Sequence, residues 1–107
     1  MAFYADPTTV TRTDSFSTSD RYAYSWLNLS NVGATKVMWN WYSPDGNLYF
    51  TDSKIINRPL PKATWDSYPI WDGMVIMGTN AANLPGKWHV DVYVGDQKIL
   101  TEQFAIG

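Results

Sequence analysis

Apolar and polar residues alternate along most of this chain, and turn-forming residues interrupt the alternation at short intervals. A period of two sends successive side chains to opposite faces of an extended strand, so the pattern predicts half-buried β-strands. Thr8 to Thr13 reads as a first, edge-like strand, and Asp14 to Asp20 as a polar loop. Arg21 to Leu29 is a second strand, with Tyr22, Tyr24 and Trp26 on one face and Ala23, Ser25, Leu27 and Leu29 on the other. Ser30 to Gly33 turns the chain. Thr35 to Tyr42 follows with Val37, Trp39 and Trp41 inward, because Lys36 and Asn40 on the opposite side belong in water.

Ser43-Pro44-Asp45-Gly46-Asn47 is a tight turn in which Pro44 presets φ and Gly46 supplies a positive φ. Asn47 to Ile56 returns with Leu48 and Phe50 on one side. Pro59 and Pro61 exclude a central strand across Asn57 to Lys62, which is read as a crossing between sheets or a long loop. Ala63 to Pro69 is ambiguous, and the apolar run Met74 to Met77 reads as a short buried strand. Thr79 to Gly86 is a loop with room for one helical turn. Lys87 to Val94 is the clearest strand, with Trp88, Val90, Val92 and Val94 inward and Lys87, His89, Asp91 and Tyr93 outward. Gly95-Asp96 makes a hairpin turn of the type II′ pattern into Gln97 to Ile106, where Leu100, Phe104 and Ile106 face the core and Glu102 shares their side.

Seven to eight strands and no helix-period segment predict an all-β antiparallel sandwich without a disulfide. The chain of 107 residues is the size of one domain, here 1–107, with residues 1–7 as a possible disordered or added arm. Composition agrees: nine Asp against one Glu favour turns over helix interiors, and 23 Thr, Val and Ile favour strands. No cysteine is present, which removes a thiol nucleophile and a Cys-based zinc site as well as the disulfide. A net charge of -2, with scattered lysines and arginines, gives no electrostatic reason to expect a nucleic-acid partner or an anionic membrane. No run approaches the ~18 apolar residues of a membrane helix, so no membrane insertion is expected. Met1 to Val10 has no signal-peptide pattern.

Three segments carry a family resemblance. Trp39 to Gly46 reads W-x-W-Y-x-P-D-G, Leu84 to Val94 reads L-P-G-x-W-x-V-x-V-Y-V, and a Gly-Asp hairpin leads to a closing F-x-I at Phe104 to Ile106. Together they resemble the immunoglobulin-like β-sandwich modules of exported bacterial and archaeal proteins. The resemblance implies that Trp39 is the buried tryptophan of the third strand. It also implies that aliphatic packing near Ala23 to Leu27 and Val90 to Val92 replaces the bridge, and that Trp88 stands at the tyrosine-corner position. It implies a structural or protein-interaction module of an exported, periplasmic or envelope protein, as part of a longer chain.

Candidate chemistry is sparse. The single histidine, His89, shares a strand face with Asp91, but no nucleophile pattern accompanies them, so the chain is expected not to be an enzyme. No cofactor is expected, and Asp45-Gly46-Asn47 is too poor in ligands for calcium. Carbohydrate binding is the alternative function. Trp65, Tyr68 and Trp71 would stack on sugar rings, and an outer-face patch of Tyr42, His89, Asp91 and Tyr93 is a second candidate. Core filling is the competing reading for Trp65 and Trp71, and the expected reading for Trp26, Trp39, Trp41 and Trp88.

Overall fold

The computed structural model describes residues 2–4 and 15–107, with side chains described from residue 15 onward. Its strands are β1 (Ala2–Tyr4), β2 (Ser15–Phe16), β3 (Tyr22–Val32), β4 (Thr35–Tyr42), β5 (Leu48–Ile56), β6 (Trp65–Val75), β7 (Gly86–Val94) and β8 (Gln97–Ile106), with a 3-10 turn over Asn80–Asn83. They form a three-stranded sheet in the order β1-β3-β6 and a five-stranded sheet in the order β2-β8-β7-β4-β5. All pairings are antiparallel except β2 with β8. The two sheets make an all-β sandwich. In immunoglobulin lettering β3 and β6 are B and E, while β4, β5, β7 and β8 are C, C′, F and G.

The core lies between the sheets, filled from one side by Ala23, Leu27, Ile70 and Met74 and from the other by Val37, Trp39, Trp41, Val90 and Val92. Trp39, Trp41 and Trp88 are almost wholly buried. Trp88 donates its ring N–H to the carbonyl of Leu84 at 2.8 Å. A tyrosine corner ties the start of strand F back to the chain just upstream; here the indole makes that tie.

Several expectations change. Trp26 does not fill the core: it lies half-buried on the outer face of β3, with Trp71 directly opposite on β6. Strand β3 runs on to Val32, so the turn is shorter than Ser30 to Gly33. The ambiguous segment and the apolar run after it are largely one strand, β6. Met74 and Ile76 are buried while Val75 and Met77 are exposed, so the run alternates rather than being covered on both faces. Leu48 and Phe50 do not share a side. An irregularity at Trp41 and Tyr42 sets Phe50 against Trp41 and Leu48 against Tyr42, which face opposite ways. Ala2–Tyr4 pairs with β3 as an edge strand. The edge strand expected over Thr8 to Thr13 lies outside the described residues.

Proline inside β6 has a backbone explanation. In an antiparallel ladder the N–H and C=O of one residue point to the same side. Ile76 N–H reaches Arg21, toward β3. The carbonyls of Trp71 and Val75 are instead taken by Lys54 of β5 and by the Thr79 hydroxyl. Residues 69, 71, 73 and 75 therefore turn their backbone to the free edge. The missing N–H of Pro69 falls there, where it costs the β3–β6 ladder nothing.

Candidate functional site

No described strand pairs with the far edge of β5 or of β6, so the sandwich has an open side where these two edge strands face each other. Three clefts follow one another along it. The first, about 330 Å³, lies under the loop after β5 and is lined by Pro59, Lys62, Thr64, Trp65, Asp66 and Ser67. The second, about 190 Å³, is lined by Lys54, Ile55 and the β6 residues Tyr68, Pro69, Ile70 and Trp71. The third, also about 190 Å³, is lined by Tyr49 and Phe50 of β5, Gly73 to Val75 of β6, and Thr79. From Trp65 to Val75 the strand covers roughly 33 Å at ~3.3 Å per residue.

The three aromatics singled out from sequence all lie on this side, though not as one flat platform. Trp65 is half-buried against the core, donates its ring N–H to Asn57 at 2.6 Å, and meets Tyr68 edge-on with ring centres 5.3 Å apart. Tyr68 is half-buried and shares the second cleft with Trp71. Trp71 is 42% exposed, which removes it from the core. Strand parity explains the split: Tyr68 turns inward with Ile70 and Asp72, whereas Trp71 turns outward beside Trp26.

A polar crossbar missed in the sequence reading holds the open side together. Asp72 of β6 is only 3% exposed and accepts the ring N–H of Trp41 at 2.8 Å. Burial, and then a hydrogen bond with Asp52 of β5, push its carboxyl up to about 7. Asp52 moves the other way, chiefly because it accepts that hydrogen bond from Asp72. The pair thus shares one proton. Lys54 reaches across to the carbonyl of Trp71, with its ammonium 5.3 Å from the Trp71 ring centre and 5.8 Å from that of Trp39. The ring N–H of Trp39 is buried without a partner among the described residues, an arrangement that stabilises nothing by itself. A sequence signal for the crossbar existed. Asp52 and Lys54 stand opposite the inward residues Trp39 and Val37, where a strand alternating cleanly would be apolar.

The outer-face patch is assembled as an ordinary sheet surface. Tyr42 and His89 stack with ring centres 4.5 Å apart and planes 8° from parallel. Tyr93 is half-buried nearby. Asp91 is not an open carboxylate: it is 9% exposed and accepts a 2.6 Å hydrogen bond from the Thr101 hydroxyl. His89 therefore lacks a free carboxylate beside it in this patch. In the Pro44–Asn47 turn, Ser43 and Asn47 hydrogen bonds hold the Asp45 carboxyl below its usual range. Among the described residues no cluster of metal-ligating side chains forms. No helix among them is long and apolar enough to cross a membrane.

No protein-family model matches the chain, and no curated protein matches it.

Proposed function

We propose that the chain is a non-enzymatic, immunoglobulin-like interaction module of an exported or envelope prokaryotic protein, engaging its partner through the open β5–β6 side. One observation carries the non-enzymatic part. Asp52 and Asp72 are the pair whose proton affinities are driven apart, as an acid and a base require. Yet they bond to each other, and Asp72 is buried with an oxygen spent on Trp41. Carboxylates that cleave a glycosidic bond stand roughly 5 Å or more apart with substrate between them. This pair joins two strands instead.

A carbohydrate-binding module is the second reading. It is favoured by the placement of Trp65, Tyr68 and Trp71 along the same line of clefts. The non-enzymatic reading is tested by incubating the purified chain with chromogenic glycosides and esters. No turnover is expected. Turnover abolished by Asp72→Asn, with the fold retained, would overturn it.

A further inference from the structure

From the clefts along β6 we infer that the open side binds a linear, uncharged glycan chain lengthwise, with the second cleft, between Tyr68, Trp71 and Lys54, as its central subsite. This rests on the carbohydrate-binding reading and names its ligand class.

A groove beside a free strand edge ordinarily suits an extended peptide, which adds itself as another strand. Such a peptide needs regular backbone donors and acceptors. Along β6 the edge is spoiled at alternate positions: Pro69 has no N–H, Lys54 holds the Trp71 carbonyl, and Thr79 holds the Val75 carbonyl. The facing strand turns Asp52 and Lys54 toward the seam, a second device against strand addition. A peptide would displace these bonds before forming its own.

What the groove offers is side-chain chemistry. Each cleft has at least one aromatic: Trp65 in the first, Tyr68 and Trp71 in the second, Tyr49 and Phe50 in the third. Aromatic walls with a few polar groups suit a ligand having apolar ring faces and a hydroxylated rim. Polar groups stand beside them: Lys62, the Thr64 hydroxyl and Asp66 in the first cleft, and Lys54 in the second. Lysine and aspartate alternate, with Lys62 beside Asp66 and Lys54 beside Asp52 and Asp72, so the groove presents no field of one sign. That matches a neutral polymer and discriminates against nucleic acid, uronic-acid polymers and anionic lipid surfaces. The length of the groove sets a further requirement. A chain filling successive clefts gains contact with each added sugar, whereas a monosaccharide engages one cleft only.

The test is affinity electrophoresis of the purified chain in gels containing soluble β-glucan, xylan or mannan, with alginate as the anionic control. Oligosaccharide titrations followed by tryptophan fluorescence accompany it. Retardation is expected in at least one neutral gel, unchanged by added salt, with affinity rising from monosaccharide to oligosaccharide. Tyr68→Ala and Trp71→Ala should each weaken binding about tenfold, which is ~1.4 kcal/mol. Tyr22→Ser, on the outer face of β3, should leave it unchanged. Circular dichroism of each variant separates lost binding from lost fold, and if Trp71→Ala unfolds, Tyr68→Ala alone decides. The inference is overturned by no retardation in any neutral gel, by retardation in alginate only, or by loss in Tyr22→Ser without loss in Tyr68→Ala. Those results leave the interaction-module reading standing. Hydrolysis of the polymer would instead sink the non-enzymatic reading while keeping the site.

Discussion

The indole of Trp41 donates to the carboxyl of Asp72 at 2.8 Å, across 31 residues of sequence and from one sheet of the sandwich to the other. It does so on the side where no further described strand closes the sandwich, so the bond ties the sheets where the described backbone ladders do not. Replacing Asp72 with Ala removes the acceptor of a buried N–H and should cost about 1–3 kcal/mol. Asp72→Asn keeps an acceptor for Trp41 and gains a donor for Asp52, so at pH 8 it should be at least as stable as the parent. Urea unfolding of both variants decides this. Equal loss in Asn and Ala would mean that the charge, not the hydrogen bond, is what the fold needs.

The shared proton predicts an unusual pH dependence. The Asp72 carboxyl is raised from 3.8 in the unfolded chain to about 7 in the fold. Between those values the folded state holds a proton that the unfolded state has lost. Its contribution is therefore complete below pH 4 and is lost progressively as pH rises to 7, with a limiting slope of ~1.4 kcal/mol per pH unit. Above pH 7 the slope from this group vanishes. Asp52, whose pKa is depressed, acts oppositely and only as pH falls below 3.8. Melting curves from pH 4 to 8 should show the decline in the parent and a flatter profile in Asp72→Asn.

Trp88 bonds the Leu84 carbonyl at 2.8 Å and packs against Tyr49 and Phe104. Trp88→Phe keeps an aromatic ring and removes the donor, with an expected loss of about 1 kcal/mol in denaturant unfolding. Trp88→Ala also empties the core there, for about 3–5 kcal/mol. If Phe were as damaging as Ala, the corner hydrogen bond would outweigh ring packing.

Gly73 lies under the Tyr24 ring, where an added Cβ would come within 2.6 Å of a ring carbon. Gly73→Ala should therefore displace the ring and lower stability by about 1 kcal/mol or more. The penalty should shrink in a Tyr24→Ala background, and a double-mutant cycle measures the coupling. Additive effects would show that the two positions do not compete for space.

Lys54 and Pro69 should keep β6 from pairing with other chains. The double change Lys54→Met with Pro69→Thr frees the Trp71 carbonyl and restores the edge donor. Concentration-dependent association by light scattering is expected, while the parent stays monomeric under the same conditions. A monomeric double variant would assign the open edge's protection to other residues.

Much of the sandwich is legible in the chain itself. Strands β4 and β7 alternate so cleanly that Trp39, Trp41, Trp88, Val90 and Val92 declare their side, because a period of two leaves no other way to keep Lys36, Asn40 and Lys87 in water. The turn at Pro44 to Asn47 and the positive φ of Gly46 and Gly95 are equally local matters. What tertiary structure alone decided is which strands end as edges. An edge strand has a hydrogen-bonded neighbour on one side only, so it tolerates residues a central strand refuses: β6 admits Pro69, and β5 turns Asp52 and Lys54 inward. Trp26 and Trp71 differ from Trp39 and Trp88 in parity against neighbours distant in sequence, which composition does not carry. The open side, its clefts and its shared proton arise from the approach of β5 and β6. No hydrogen bond of either ladder links those strands, so a pattern of local periodicity contains no term for their meeting.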